Sequence, residues 1–386
     1  MMAGFRSLAM TSVVIVVIQG CPAAAGAEVS GHVRSTLLVK GSDGGATEAD
    51  WLNGLRLTLD EDLGSAVLTL SYELAVSVAG EQPARGDTDW LDLEGPVARG
   101  RDVESRHRLD RLELAFSAGD GIDVTIGRQA VSWGTTLFLT PADPFVPFSP
   151  SDTLRDYRRG IDALRLRAYP GALSEIDLVV RPSRLRDRTE LTVLARALTI
   201  WGDWEVSAWA GSLYGDAAAA VGAAGGIADW AVRAEAAVRD GGKSAIGRAA
   251  IGVSRTFSVW NRDLGFVLEY QHDGFGAARR QDYEALLRSD PFVRGELQVP
   301  GRDQAVMQAV YQVHPLWELT GLALWNLNSG SAILGPGFSH SLSDAATVSG
   351  SVFAELGDAI PEEAIPAEAG IRAPPVNAYL YLTWYF

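Results

Sequence analysis

Residues 377–386 read NAYLYLTWYF, and their alternation decides the fold class. Ala378, Leu380, Leu382, Trp384 and Phe386 fall on one side of an extended chain, with Tyr379, Tyr381 and Thr383 on the other. Side chains of a strand point to opposite faces in turn, so apolar residues at period two mark a strand with one apolar face. The pattern recurs upstream. Leu55, Leu57 and Leu59 alternate with Arg56, Thr58 and Asp60, and Leu68, Leu70 and Tyr72 with Thr69, Ser71 and Glu73. Leu112 and Leu114 enclose Glu113, and Leu164, Leu166 and Ala168 enclose Arg165 and Arg167. Ile176 and Leu178 bracket Asp177, Val232, Ala234 and Ala236 bracket Arg233 and Glu235, and Leu268 and Tyr270 bracket Glu269.

Most of these segments run to about ten residues, the length a tilted strand needs to cross a bilayer. Ionised groups of both signs on the second face suit a wet interior. A soluble sandwich would alternate as well, with its charged face to solvent, but its strands average only about five or six residues. The terminal aromatic with alternate apolar residues resembles the assembly signal of bacterial outer-membrane barrels. That resemblance implies the barrel-assembly machinery as a partner through the strand ending at Phe386. The expected fold is all-β: a transmembrane, antiparallel, up-and-down β-barrel in the lipid of a Gram-negative outer membrane.

Composition narrows the remaining classes. Hydrophobic residues make up 47% of 386, enough apolar surface to exclude disorder. A formal net charge of −15 excludes nucleic acid, whose phosphates demand a basic face. With Cys21 alone, no disulfide framework or Cys-based zinc site forms within one chain. His32, His107, His272, His314 and His340 show no ligand spacing, so no metal or other cofactor is expected. Gly337-Phe338-Ser339-His340-Ser341 lacks the closing glycine of a nucleophile elbow, and no enzyme is expected.

Arg6, the short apolar run 11–18 and Ala25-Gly26-Ala27 read as a secretory signal peptide over 1–27, leaving 28–386 as one barrel domain. A rival reading takes Ile18-Gln19-Gly20-Cys21 as a lipoprotein box that would lipidate Cys21. Barrels of this class have an even strand count, short periplasmic turns and longer external loops. Short turns at 60–65, 118–121, 170–174 and 199–203 alternate with long connections at 41–50, 79–106, 132–159 and 182–188. Counting the Ala-rich stretch 217–224 as a strand keeps that order and makes 273–302 and 357–375 external as well. The total is 18 with both termini periplasmic, and 16 is the alternative.

The segment after the fifth strand is unlike the rest. Pro141, Pro144, Pro147 and Pro150 forbid a regular helix or inner strand, yet Phe138, Phe145 and Phe148 are too apolar for a free loop. Residues 134–159 are therefore expected to fold into the lumen and narrow it, with the phenyl groups as anchors. Asp143, Asp152 and Asp156 would lie on this segment near Arg155, Arg158 and Arg159, facing Arg165 and Arg167, and so set up a transverse field. Glu113, Arg233 and Glu235 complete the expected lining. Arg128 breaks phase with Ile122, Val124 and Ile126, and a β-bulge at Gly127 is expected to swing it inward.

Gly127-Arg128-Gln129, Trp133-Gly134, the Pro-Ala-Asp-Pro-Phe segment and Arg158-Arg159-Gly160-Ile161-Asp162 resemble a signature of porin-like outer-membrane families, including alginate-export-like barrels. In them the pattern closes a strand before a long loop. The expectation is a passive diffusion channel for small polar or charged solutes, with 134–159 as its constriction. The alternative is a conduit exporting a polysaccharide or other polymer.

Overall fold

In a computed structural model of the chain, the structure describes residues 27–41, 47–78, 88–100, 103–145, 157–242, 244–357 and 376–386. The strands are, first, β1 (Ala27–Gly41), β2 (Thr47–Asp62), β3 (Ala66–Val78), β4 (Glu94–Arg99), β5 (Val103–Ser117), β6 (Ile122–Gln129) and β7 (Ile161–Gly171). Next come β8 (Ser174–Leu185), β9 (Arg188–Trp201), β10 (Trp204–Leu213), β11 (Asp216–Ile227), β12 (Trp230–Asp240) and β13 (Ala245–Val259). The last are β14 (Arg262–Asp273), β15 (Asp303–His314), β16 (Trp317–Asn326), β17 (Ala332–Ser343), β18 (Ala346–Leu356) and β19 (Val376–Tyr385). Two short helices, α1 (Tyr283–Leu287) and α2 (Asp290–Val293), lie between β14 and β15.

Neighbouring strands pair antiparallel, and β1 pairs with both β2 and β19, so the sheet closes on itself. Closure leaves the wall without an edge strand, as a lipid setting would require, since an unpaired backbone group there would have no water to meet. Eighteen strands make the wall, the Ala-rich stretch among them as β11. The nineteenth, β4, is additional: β3 pairs directly with β5, and β4 lies on the far edge of β5.

At one end the strands join through turns of a few residues; at the other lie all the longer connections. Both described termini are at the short-turn end, where Ala27 pairs with Glu61 and Gly31 exchanges backbone hydrogen bonds of 3.0 Å with Phe386. The expected leader lies outside the described residues except Ala27, its last, which begins β1. Most of the 357–375 loop also lies outside them.

The connection at 182–188 corrects the loop expectation. β8 runs to Leu185 and β9 starts at Arg188, so only Arg186 and Asp187 form the turn. Arg181-Pro182-Ser183-Arg184 reads as loop because of its proline. At that height, however, β8 no longer has β7 beside it, so a missing N–H breaks no ladder.

Outward faces carry the apolar sets: Ile126, Leu164, Ile176, Leu268, Leu319, Leu380 and Leu382 are all exposed. Trp201, Trp260, Trp317 and Trp384 ring the short-turn end, where an apolar ring with a polar edge suits the lipid–water boundary.

β6 and β7 stop short at the loop end, because the chain leaves the wall after Gln129 and re-enters at Ile161. That would strip partners from the upper part of β5 and of β8. Residues 88–99 fill the opening. β4 pairs with Glu104–Arg108 of β5, Leu109 donates its N–H to Leu93 O, and Arg184 donates its own to Thr88 O.

Candidate pore and constriction loop

The segment that leaves the wall crosses the inside of the barrel. Glu235 on β12 and Glu269 on β14 share their strands' inward face, opposite exposed Val238 and Leu268. Each carboxylate gathers loop backbone. Thr135, Thr136 and Ala142 donate their N–H groups to Glu235 at 2.5, 3.2 and 2.9 Å. Leu137, Phe138 and Leu139 donate theirs to Glu269 at 2.6, 2.8 and 2.9 Å. A carboxylate is an acceptor with several lone-pair sites, so two such groups satisfy amides that the prolines keep out of any ladder. Gly222, beside Glu235 in the sheet, leaves room for the strap, since a Cβ there would collide with Thr135 Oγ1.

Side chains hold the same path. Trp133 donates its indole N–H to Asp177 on β8 at 2.9 Å, and Trp209 on β10 donates its own to Ala142 O at 2.9 Å. Trp133, Phe145 and Trp209 pack with Val179, Leu194, Leu213, Ala218 and Ala220 from the inner faces of β8–β11. Phe138 sits on a second cluster of Leu139, Val299, Val306 and Leu324. Phe145 and Phe138 are thus anchors; Phe148 lies outside the described residues.

The β14–β15 connection closes over this strap. Gln298 accepts from Thr140 N at 2.6 Å and donates to Phe138 O at 2.6 Å. Arg294 reaches Glu190 on β9 at 2.5 Å, and Glu296 meets Arg239 on β12 at 2.7 Å. Burial works against the Arg294 charge, but the hydrogen bonds it donates to Glu190 and the nearness of Glu296 raise its pKa above the ordinary arginine value.

The opposite side is charged and hydroxylated. A β-bulge where Ser71 and Tyr72 face Arg111 and Leu109 turns Asp110 inward, an irregularity not legible in the alternation. Asp110 then takes Arg56 at 3.1 Å, Arg108 at 2.8 Å and Arg111 at 2.5 Å. Arg56 also pairs with Glu73 and lies 4.2 Å from the ring centre of Tyr157, where the strap returns. Hydroxyl pairs such as Thr58–Ser71 and Ser339–Ser349, both at 3.0 Å, line β2–β3 and β17–β18.

The residues expected to line the lumen fall into separate settings. Arg158 pairs with Asp143 at 2.5 Å, Arg159 with Asp89 at 2.9 Å, and Arg165 with Asp177 at 2.6 Å. Asp143 is 2% exposed and also receives the N–H of Trp133, so it knits the strap together and offers no open charge. Glu235, 4% exposed, is likewise occupied. Arg233 donates to Ser254 at 3.0 Å, and Glu113 is half-buried. Arg167 makes no hydrogen bond or ion pair among the described residues, nor does Arg196 opposite Asp177. Asp152, Arg155 and Asp156 lie outside the described residues.

Arg128 corrects its expectation. The pairing of β6 with β5 and β7 continues through Gly127 without an inserted residue, so there is no bulge. Gly127 instead takes φ +116°, which only glycine adopts readily. Arg128 is 1% exposed, bound to Asp162 at 2.8 Å and to Leu91 O at 2.7 Å, and so seals the wall panel rather than lining open lumen.

No family model matches the sequence, and no curated protein does. Solved structures do match the fold. OccAB4 of Acinetobacter baumannii has a TM-score of 0.56 at 9% identity, covering 94% of this chain and 98% of that one. OccK11 (OpdR) of Pseudomonas aeruginosa has 0.53 at 13%, covering 93% and 96%. A BenF-like porin from Pseudomonas fluorescens Pf-5 has 0.53 at 10%, covering 93% and 98%. Across this identity range the likeness is one of architecture, and the architecture is that of a porin barrel.

Proposed function

We propose that the chain is a Gram-negative outer-membrane channel for passive diffusion of small polar or charged solutes, narrowed by the strap that begins at Val131. One observation carries the reading: Glu235 and Glu269 bind six backbone amides of residues 135–142, so the strap is built into the lumen. Solutes pass between that strap and a wall bearing Arg56, Arg108, Arg111, Arg165 and Arg167. Arg56, Arg108 and Arg111 crowd on the single carboxylate of Asp110, and Arg167 has no ion pair among the described residues. That surplus of positive charge supports a preference for anionic or hydrogen-bonding solutes. The short-turn end, with both termini, faces the periplasm in this reading, and the longer connections face outward.

Planar-bilayer recording tests it. The purified protein is expected to give discrete channel events, and deletion of residues 136–156 to give larger ones. Silence from both proteins, each shown to be folded by heat-modifiable gel mobility, removes the proposal.

A further inference from the structure

Five consecutive strands of the wall hold no lysine or arginine. From residue 303 to the end of the chain the only Lys or Arg is Arg372, in the connection between β18 and β19, so β15–β19 carry none. β5 and β7, by contrast, carry Arg108, Arg111, Arg165 and Arg167.

One row across these five strands is continuous in register. Gln312 on β15 lies opposite Glu318 on β16, Glu318 opposite Ser339 on β17, Ser339 opposite Ser349 on β18, and Ser349 opposite Tyr381 on β19. Directly opposed side chains of an antiparallel pair stand on the same face, about 5 Å apart. That face is the inward one, because Leu319, Leu334, Val352 and Leu380, at the alternate positions, are exposed apolar residues. Much of the row's hydrogen-bonding capacity is free. Among the described residues the Gln312 amide group, the Glu318 carboxylate and the Tyr381 hydroxyl make no hydrogen bond or ion pair. Ser339 and Ser349 share one hydrogen bond at 3.0 Å, which uses one of their two hydroxyl hydrogens and leaves the other as a donor. Arg34 of β1 lies 4.9 Å from the ring centre of Tyr381 and donates to Thr383 at 3.1 Å, which holds the phenol in place.

We propose that this row is a binding strip for a neutral, polyhydroxylated solute of disaccharide size. The inference rests on the channel reading above and names a solute class for the wall without arginines. A sugar hydroxyl both donates and accepts, and two neighbouring ones on a ring donate together to the two oxygens of a carboxylate such as Glu318. Glu318 and Tyr381 stand three strand spacings apart, roughly 14 Å along the sheet at about 4.8 Å each. Two linked rings bridge that span between inward-reaching side chains; one ring does not. A small anion finds no cation on these strands and goes to the arginine side.

Planar-bilayer recording of the purified full chain tests the strip, with maltose as probe and a poly(ethylene glycol) of similar size as reference. Maltose is expected to lower the mean current saturably. The glycol, with hydroxyls only at its ends, is expected to lower it in proportion to concentration. Glucose, too short for the strip, is expected to block about tenfold more weakly than maltose. Tyr381→Phe removes only the free hydroxyl and is expected to raise the half-blocking maltose concentration about threefold, and Glu318→Ala with Ser339→Ala about tenfold. Each current is taken relative to that variant's own sugar-free level, with folding checked by heat-modifiable gel mobility. Arg167→Gln, on the other wall, is expected to keep the wild-type half-block within about twofold. Block by maltose that does not saturate, or that glucose equals, overturns the proposal. So does wild-type block in both Tyr381→Phe and the double variant, or an equal loss in Arg167→Gln. Open channels that ignore maltose defeat this inference alone, whereas silent channels defeat the functional reading and this inference with it.

Discussion

The two sides of the barrel obey one alternation and use it differently. Along β8–β11 the inward positions hold Val179, Leu194, Trp209, Ala218 and Ala220, and protein covers them. Along β17–β18 and β2–β3 they hold Ser339, Ser349, Thr58 and Ser71, paired hydroxyl to hydroxyl. The rule that a membrane barrel is polar inside describes the second side only. Inward residues match whatever they meet: apolar or small where the strap's side chains lie against the wall, carboxylates where its N–H groups do, and hydroxyl-bearing where the lumen is open.

Removing the staples between strap and wall should break this contrast most severely. Glu235→Ala with Glu269→Ala withdraws charged acceptors from six amides, each such bond contributing about 1.5–3 kcal/mol. Single-channel conductance is expected to rise and the open level to become noisy; an unchanged conductance would show that the strap stands without them. Next in size is the dry core. Trp133→Ala leaves a cavity beneath Phe145 and takes the indole N–H from Asp177, which keeps Arg165, at a cost of about 3–5 kcal/mol, read as a lower unfolding temperature in detergent. On the open side the effect on stability should nearly vanish. Arg167→Gln is expected to change it by no more than about 0.5 kcal/mol. The reversal potential in a salt gradient should still move toward cation preference, because an unpaired positive charge leaves the path.

Much of the wall was legible in the sequence, because its outward face is apolar at every second residue of most strands. Even the Ala-rich β11 was recoverable from the order of short and long connections. The inward positions of Glu235 and Glu269 followed from alternation, and Phe138 and Phe145 announced themselves as anchors by sitting among prolines. Their partners were not legible. Amides at 135–142 meet carboxylates about a hundred residues away, and nothing local marks that pairing. Asp110 also escaped notice, since a bulge adds one residue without disturbing the apolar pattern on either side. β4 was invisible for a different reason. Its six residues, with Pro96 among them, resemble any loop until β6 is known to end early.

That early ending ties two distant stretches together. A chain that sends part of its own wall inward must replace it, and residues 88–99 are the replacement. Insertions or deletions near Glu94 are therefore not free in the way that surface loops usually allow. Shortening that stretch would leave a hole in the side of the cylinder at the height of Arg128, which in the proposed outer-membrane setting would join the aqueous path to lipid.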